Sequence, residues 1–335
     1  MVVITGKNDV AEISRQEDVE NESFFQAEGI MSRWSRQQIV GWLGVALSTS
    51  IACFWALWGI IENFHEGWFH ESLLLNLGLM FIQYLSPTII FVSLTLLAIA
   101  FPRVGGIVHA LVGLLLSQLL FDLDDRVAML FIISPMLLLG ILYWYGRPQP
   151  RRAAYLSAIA LPVLMLVVCS VEPAVRIAGR VDDGNLQARL VEGSGVRHVW
   201  AADGIGWPRE GVSWHDAVKR CQHLTEDGGT LADAPQNVWR LPTAEEAVRS
   251  MSRHGVNSGG VWNAQTKTAT YRVRPDKESP LWNVHSQVIY WWTATEVDDD
   301  HAYIIVYDGK VWPRRKRFGP GYLGYRCVKS VEVAR

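Results

Sequence analysis

Long uncharged apolar runs crowd into one part of this chain, between Gln38 and Val171, and no other feature restricts the fold as tightly. A helix that crosses a bilayer needs about 20 apolar residues, because a rise of about 1.5 Å per residue must span a hydrocarbon core about 30 Å thick. Segments 39–61, 73–101, 104–121, 127–145 and 153–171 reach or approach that length, so the block 38–172 is expected to hold about five transmembrane helices. Half of the 335 residues are hydrophobic, yet outside this block the chain has the composition of a soluble protein. The expectation is an α-helical membrane domain followed by a globular one.

Basic residues in short loops resist translocation and so set orientation. Arg33 and Arg36 precede the first run, Arg103 lies between the second and third, and Arg147, Arg151 and Arg152 lie between the fourth and fifth. The opposite loops, 62–71 and 122–126, contain one Lys or Arg between them, Arg126. An amino terminus in the cytoplasm and a carboxyl-terminal domain outside it follow, as for a multi-pass protein of a bacterial inner membrane. Residues 1–37 are polar and aperiodic and read as a disordered cytoplasmic tail. No cleavable signal peptide is expected, since no small-residue cleavage site follows the first run.

Within the spans, polar side chains are few: Asn76, Gln83, His109 and Gln118. An ionisable group in a span is a functional candidate, and His109 could relay protons or bind a ligand; without an intramembrane carboxylate, the plainer reading is helix-to-helix hydrogen bonding. Pro87 is a candidate kink in the long second span. Trp42, Trp55, Trp58, Trp68 and Trp144 fall near span ends or in the outer loop, as interfacial anchors do.

A polar linker, 173–195, leads to a domain at 196–330. Trp214, Ala217, Val218 and Cys221 make one apolar helix face, with Ser213 as N-cap and Gly228 and Gly229 as the stop. Thr243 and Glu246 form a capping box for a second helix, whose buried stripe is Ala244, Ala247, Val248 and Met251. Beyond Ser286 the β-branched and aromatic runs 288–295, 303–307, 310–312 and 322–328 read as strands. Asp308 and Gly309 are expected to form a two-residue type I′ turn. Cys53 and Cys169 lie in spans and read as packing residues. Cys221 and Cys327 lie on the oxidising side, so a disulfide is expected, with two reduced core thiols as the alternative.

The segments 212–217 with Cys221, 239–246, 290–296 and 325–328, in this order, resemble the Lcl C-terminal-domain-like family, a bacterial group with a C-type-lectin-like fold. The resemblance covers roughly residues 196–330 and implies an α+β lectin-like domain stapled by Cys221 and Cys327. The same signposts are similar to those of formylglycine-generating sulfatase-modifying enzymes. Those enzymes rely on a further active-site cysteine pair that this domain lacks, so no enzymatic activity is expected. The Trp-Asn-Asp triplet of calcium-dependent lectins is missing as well, since Ala264 follows Asn263 and Val284 follows Asn283.

No cofactor is expected, although Asp298, Asp299 and Asp300 could contribute to a Ca²⁺ site if other oxygens joined them. The run Arg314, Arg315, Lys316 and Arg317 suits an anionic lipid, glycan or protein, and Trp262, Trp282 and Trp312 are candidate ligand-facing aromatics. A net charge of −2 argues against nucleic acid. The functional expectation is a membrane-anchored recognition or scaffolding protein, an accessory subunit of an envelope complex with a protein or glycan partner, or a homo-oligomer. The alternative is a small transporter or channel-like unit with the domain as a lid.

Overall fold

The computed structural model describes residues 34–119 and 126–331. Most of the expected tail, and the loop carrying Asp122, Asp124 and Asp125, lie outside the described residues. Two compact units emerge, one from the residues up to Ile60 with Tyr84–Cys169, the other from Ile61–Gln83 with the residues from Ser170 on.

The first unit is helical. Helices α1 (Arg36–Glu66, 31 residues) and α6 (Arg151–Ala178, 28 residues) are each long and apolar enough to cross a membrane, and each ends in the second unit. Helix α2 (Leu73–Leu79), a π-helical turn (Met80–Tyr84) and α3 (Ser86–Ala100) would together make a third span, bent by 58°. Pro87 lies in the first turn of α3, where its missing N–H costs least and its ring disfavours helix at the residue before it. The kink expected at Pro87 is therefore found, one turn of irregular helix earlier than the proline.

Helices α4 (Pro102–Leu119) and α5 (Arg126–Tyr145) approach closely because glycines line their contact. A Cβ on Gly106 would lie 2.7 Å from the Gly140 carbonyl oxygen, and one on Gly105 would lie 2.3 Å from the Ala98 backbone of α3. Small residues let membrane helices meet at van der Waals distance where no water-driven force pulls them together. Helix α6 buries only a stripe at Ala154, Ala158 and Pro162, one residue per turn.

The second unit is α+β. A three-stranded sheet runs β1 (Arg189–Gly193), β2 (Val196–Trp200) and β11 (Val328–Ser330). A four-stranded sheet has the order β10 (Leu323–Gly324), β7 (Tyr290–Glu296), β8 (His301–Val306) and β9 (Val311–Arg315). Two small hairpins, β3 (Ser252–Arg253) with β4 (Val256–Asn257) and β5 (Val261–Asn263) with β6 (Thr268–Thr270), precede it. Helix α7 (Trp214–His223) is capped by Ser213, whose Oγ accepts from the Asp216 N–H, and α8 (Ala244–Ser250) carries the expected capping box. Ala244, Ala247, Val248 and Met251 are buried as its periodicity requires. Cys221 on α7 is disulfide-bonded to Cys327.

Three local expectations change. Helix α7 stops at His223 rather than at Gly228, because the segment after Leu224 folds into a turn in which the Thr225 N–H donates to the Thr230 carbonyl. The final strand divides, since Arg326 is wholly buried between β10, which runs parallel to β7, and β11, which runs antiparallel to β2. The β8–β9 connection is a three-residue loop, in which the Val306 N–H donates to the Lys310 carbonyl and only Gly309 has positive φ, +85°. A type I′ turn needs positive φ at both central residues, which Asp308 does not have; its carboxylate is held by Arg274 at 2.9 Å and Lys310 at 3.1 Å. Gly309 cannot be replaced, because a Cβ there would lie 2.5 Å from the Tyr271 ring.

The linker is tied down along its length. Asp276, Lys277 and Glu278 are buried in sequence, which is tolerable only when each charge finds partners. The Asp276 carboxylate accepts from Arg180 at 2.8 Å and Arg253 at 2.7 Å, with Arg176 at 3.5 Å. Burial pushes Asp276 up, but these guanidiniums outweigh it and leave its pKa below the ordinary value. Glu278 accepts from the N–H groups of Val181 at 3.0 Å and of His254. The end of α6 is thereby fastened to the β-rich domain.

Candidate binding cleft of the carboxyl-terminal domain

The sequence-derived candidates separate once placed. Lys316 is buried, its ammonium bonded to the Glu296 carboxylate and to the carbonyls of Asp298 and Asp299, both at 2.9 Å. A cation of the protein's own thus takes two main-chain oxygens of the acidic turn. The Asp298 carboxylate serves the turn itself, accepting from the N–H groups of Asp300 and His301 at 2.8 Å and from the His301 ring. Among the described residues no three His, Cys, Asp or Glu side chains are grouped to hold a metal.

Arg314, Arg315 and Arg317 are exposed and make no ion pair among the described residues. Trp282 is a core residue, stacked on Trp291 with ring centroids 3.6 Å apart, and faces no ligand surface. Trp262 packs edge-on against Tyr303, and half-buried Trp312 lies beneath the Arg314 guanidinium. In the helical part, the Asn76 side chain is spent on its own loop, bonded to the N–H and carbonyl of His70 at 3.0 and 2.8 Å. Gln83 and Gln118 are exposed. Buried His109 donates from Nδ1 to the Gly105 carbonyl oxygen at 2.7 Å, and its ring lies 5.4 Å from that of Tyr143. Tyr143 in turn bonds Ser48 at 2.8 Å.

A sizeable concavity lies elsewhere in the second unit. Four chain segments meet around a cleft of about 580 Å³: the α1–α2 loop with Glu71, the linker with Asp182, the β2–α7 loop with Asp203, Trp207, Arg209 and Glu210, and the segment Asn283, His285, Ser286 and Gln287 before β7. Its four carboxylates face one guanidinium. Arg209 is bonded to Asp203 at 2.8 Å, while Glu71 and Glu210 are exposed and make no hydrogen bond or ion pair among the described residues. Excess negative charge therefore rims the opening.

The walls are held from behind. The His285 ring bonds the Phe69 carbonyl through Nδ1 at 3.1 Å, and its Nε2 lies 3.6 Å from the Asp182 carboxylate. Trp207 is stacked on the guanidinium of Arg326, 3.7 Å from the ring centroid. Among the described residues Arg326 has no carboxylate partner; its Nε donates to the Ala201 carbonyl at 2.8 Å, and burial brings its pKa down to about 9. Behind Ser286 sits Lys277, whose Nζ donates to the Ser286 carbonyl at 3.0 Å; complete burial and the nearby Arg180 bring it down to about 7. The Ser286 hydroxyl donates to the Val288 carbonyl at 2.9 Å.

The arrangement offers acceptors, a rigid floor and an opening, with its histidine and serine already engaged in holding loops. Sequence reasoning missed it because Glu71 lies more than 100 positions before Asp182, Asp203 and Glu210, and these come from two further segments. The only local signal is the polar cluster from Asp203 to Glu210 around Trp207. Comparison of the chain with protein-family models, with curated proteins and with solved structures finds no match.

Proposed function

We propose that the chain is a multi-pass membrane protein whose carboxyl-terminal domain is an extracytoplasmic recognition module, acting as an accessory subunit that binds a protein or glycan partner. The cleft carries this reading: a concavity of about 580 Å³ bounded by four fixed segments and rimmed by two unengaged carboxylates suits holding a polar ligand. The five-span count adds α4 and α5, of 18 and 20 residues, to the two long helices and the bent pair. An odd count puts the domain across the membrane from the amino terminus, a bacterial periplasm on this reading, and the Cys221–Cys327 disulfide favours such an oxidising compartment. The lectin-like reading draws support from the same disulfide, which ties the first helix of the domain to its last strands.

The test is purification of the tagged full-length protein in mild detergent, identification of stoichiometric companions, and binding measurements with each purified companion and with peptidoglycan fragments. A companion or fragment bound by the wild type and lost in Glu71→Gln with Glu210→Gln is the expected result. Binding that the double variant leaves unchanged, or a homo-oligomer that binds neither, would overturn the assignment to the cleft.

A further inference from the structure

Most arginines of the second unit are held by a carboxylate. Arg176, Arg180, Arg189, Arg197, Arg209, Arg240, Arg249, Arg253 and Arg274 are each within 4.0 Å of a carboxylate. Arg314, Arg315 and Arg317, clustered at and just beyond the end of β9, make no such ion pair among the described residues. Beside them Phe318 is 43% exposed and Tyr322 46% exposed, an unusual state for aromatic side chains in a domain that buries most of its others.

Their position relative to α1 gives this surface a meaning. Arg314, Tyr290, Tyr322 and Leu323 line one small cleft with Glu66, the last residue of α1. Tyr290 is also bonded to His65 at 3.0 Å, so the end of α1 is fixed against this edge of the domain. The last apolar residue that α1 exposes before Glu66 is Ile61. Five residues of helix rise about 7.5 Å, close to the thickness of one headgroup layer. A loop held at Glu66 is therefore at headgroup depth if Ile61 is at the edge of the hydrocarbon. Paired cationic and aromatic side chains are what that layer favours.

We infer that the 314–322 segment is a membrane-surface contact that binds the phosphate headgroups of anionic phospholipids. The inference rests on the proposal that α1 spans the bilayer. Arg314 reaches from the α1 side. Arg315 and Arg317 lie around the next concavity, of about 320 Å³, with His215, Asp299 and Asp300, and their guanidiniums supply the donors for phosphate oxygens. The two nearby aspartates reduce the local charge and make the contact one of direct guanidinium–phosphate bonding rather than of long-range attraction.

Hydrogen exchange of the full-length protein in lipid nanodiscs tests this, with phosphatidylcholine alone compared against phosphatidylcholine containing phosphatidylglycerol. Amides in 314–322 should exchange about tenfold more slowly with the anionic lipid, and the difference should vanish in the Arg314→Gln, Arg315→Gln, Arg317→Gln variant. The triple Lys variant should retain most of it, which separates charge recognition from damage to the fold. Equal exchange in the two lipids would overturn the inference. So would slowing seen only in native membranes, which would point to an acidic protein partner instead. Protection of the α1 backbone in every disc reports spanning separately, so the two readings fail distinguishably.

Discussion

Replacing Lys277 by methionine is expected to remove a rise in stability that the wild-type protein gains between pH 7 and about 10. The folded-state pKa, about 7, lies below the value of 10.5 for a free lysine, because complete burial penalises the ammonium and Arg180 repels it. Between these two values the unfolded chain holds a proton that the folded one lacks, so raising the pH favours the folded state; above 10.5 neither form holds it and the gain is complete. That lowering corresponds to at most on the order of 5 kcal/mol. Below pH 7 both states hold the proton and the cost of burying the cation is borne in full. Lys277→Met escapes that cost but loses the bond to the Ser286 carbonyl, about 1 kcal/mol. The variant should therefore be more stable than wild type at pH 6 and slightly less stable at pH 10. Denaturant unfolding of both proteins in nanodiscs, followed by tryptophan fluorescence across this range, reads the difference. Parallel stability profiles for the two would refute the reasoning.

Three further outcomes are expected. Cys327→Ala opens a covalent loop with a sequence separation of 106, and should lower unfolding stability by about 4 kcal/mol, measured as a denaturant midpoint that no longer responds to reductant. Asp276→Asn removes the carboxylate shared by Arg180 and Arg253 and should cost about 3–5 kcal/mol, with faster hydrogen exchange at 176–183 as its local sign. Gly106→Ala should lower the thermal midpoint of the helical unit, since the new methyl would meet the Gly140 carbonyl, whereas Gly78→Ala, with nothing within 4 Å, should be neutral or slightly stabilising.

Hydrophobic patterning and local capping are properties of neighbouring residues, and these were readable directly. Apolar length located α1 and α6, proline placed the bend before α3, and Thr243 with Glu246 marked the start of α8 to the residue. Side-chain chemistry alone could not say which charges would be free. Lys316 belongs to the same basic run as Arg315 and Arg317, yet the fold folds it inward onto Glu296 and leaves its neighbours exposed. Trp282 looked like a candidate for a ligand surface and is instead stacked in the core, because the segment before β7 passes beneath β7 itself. The disulfide was expected from compartment and count; its partners meet only because α7 and the last strands pack together. The cleft depended wholly on tertiary structure. Glu71, Asp182, Asp203 and Asn283 have no local relation that a period or motif could register, and they share a site because loops from distant positions are pinned by His285, Lys277 and Arg326. Short-range steric and hydrogen-bond preferences act within a few residues and are written in the sequence, whereas the charge balance at a surface is set by which distant groups the packed core leaves uncovered.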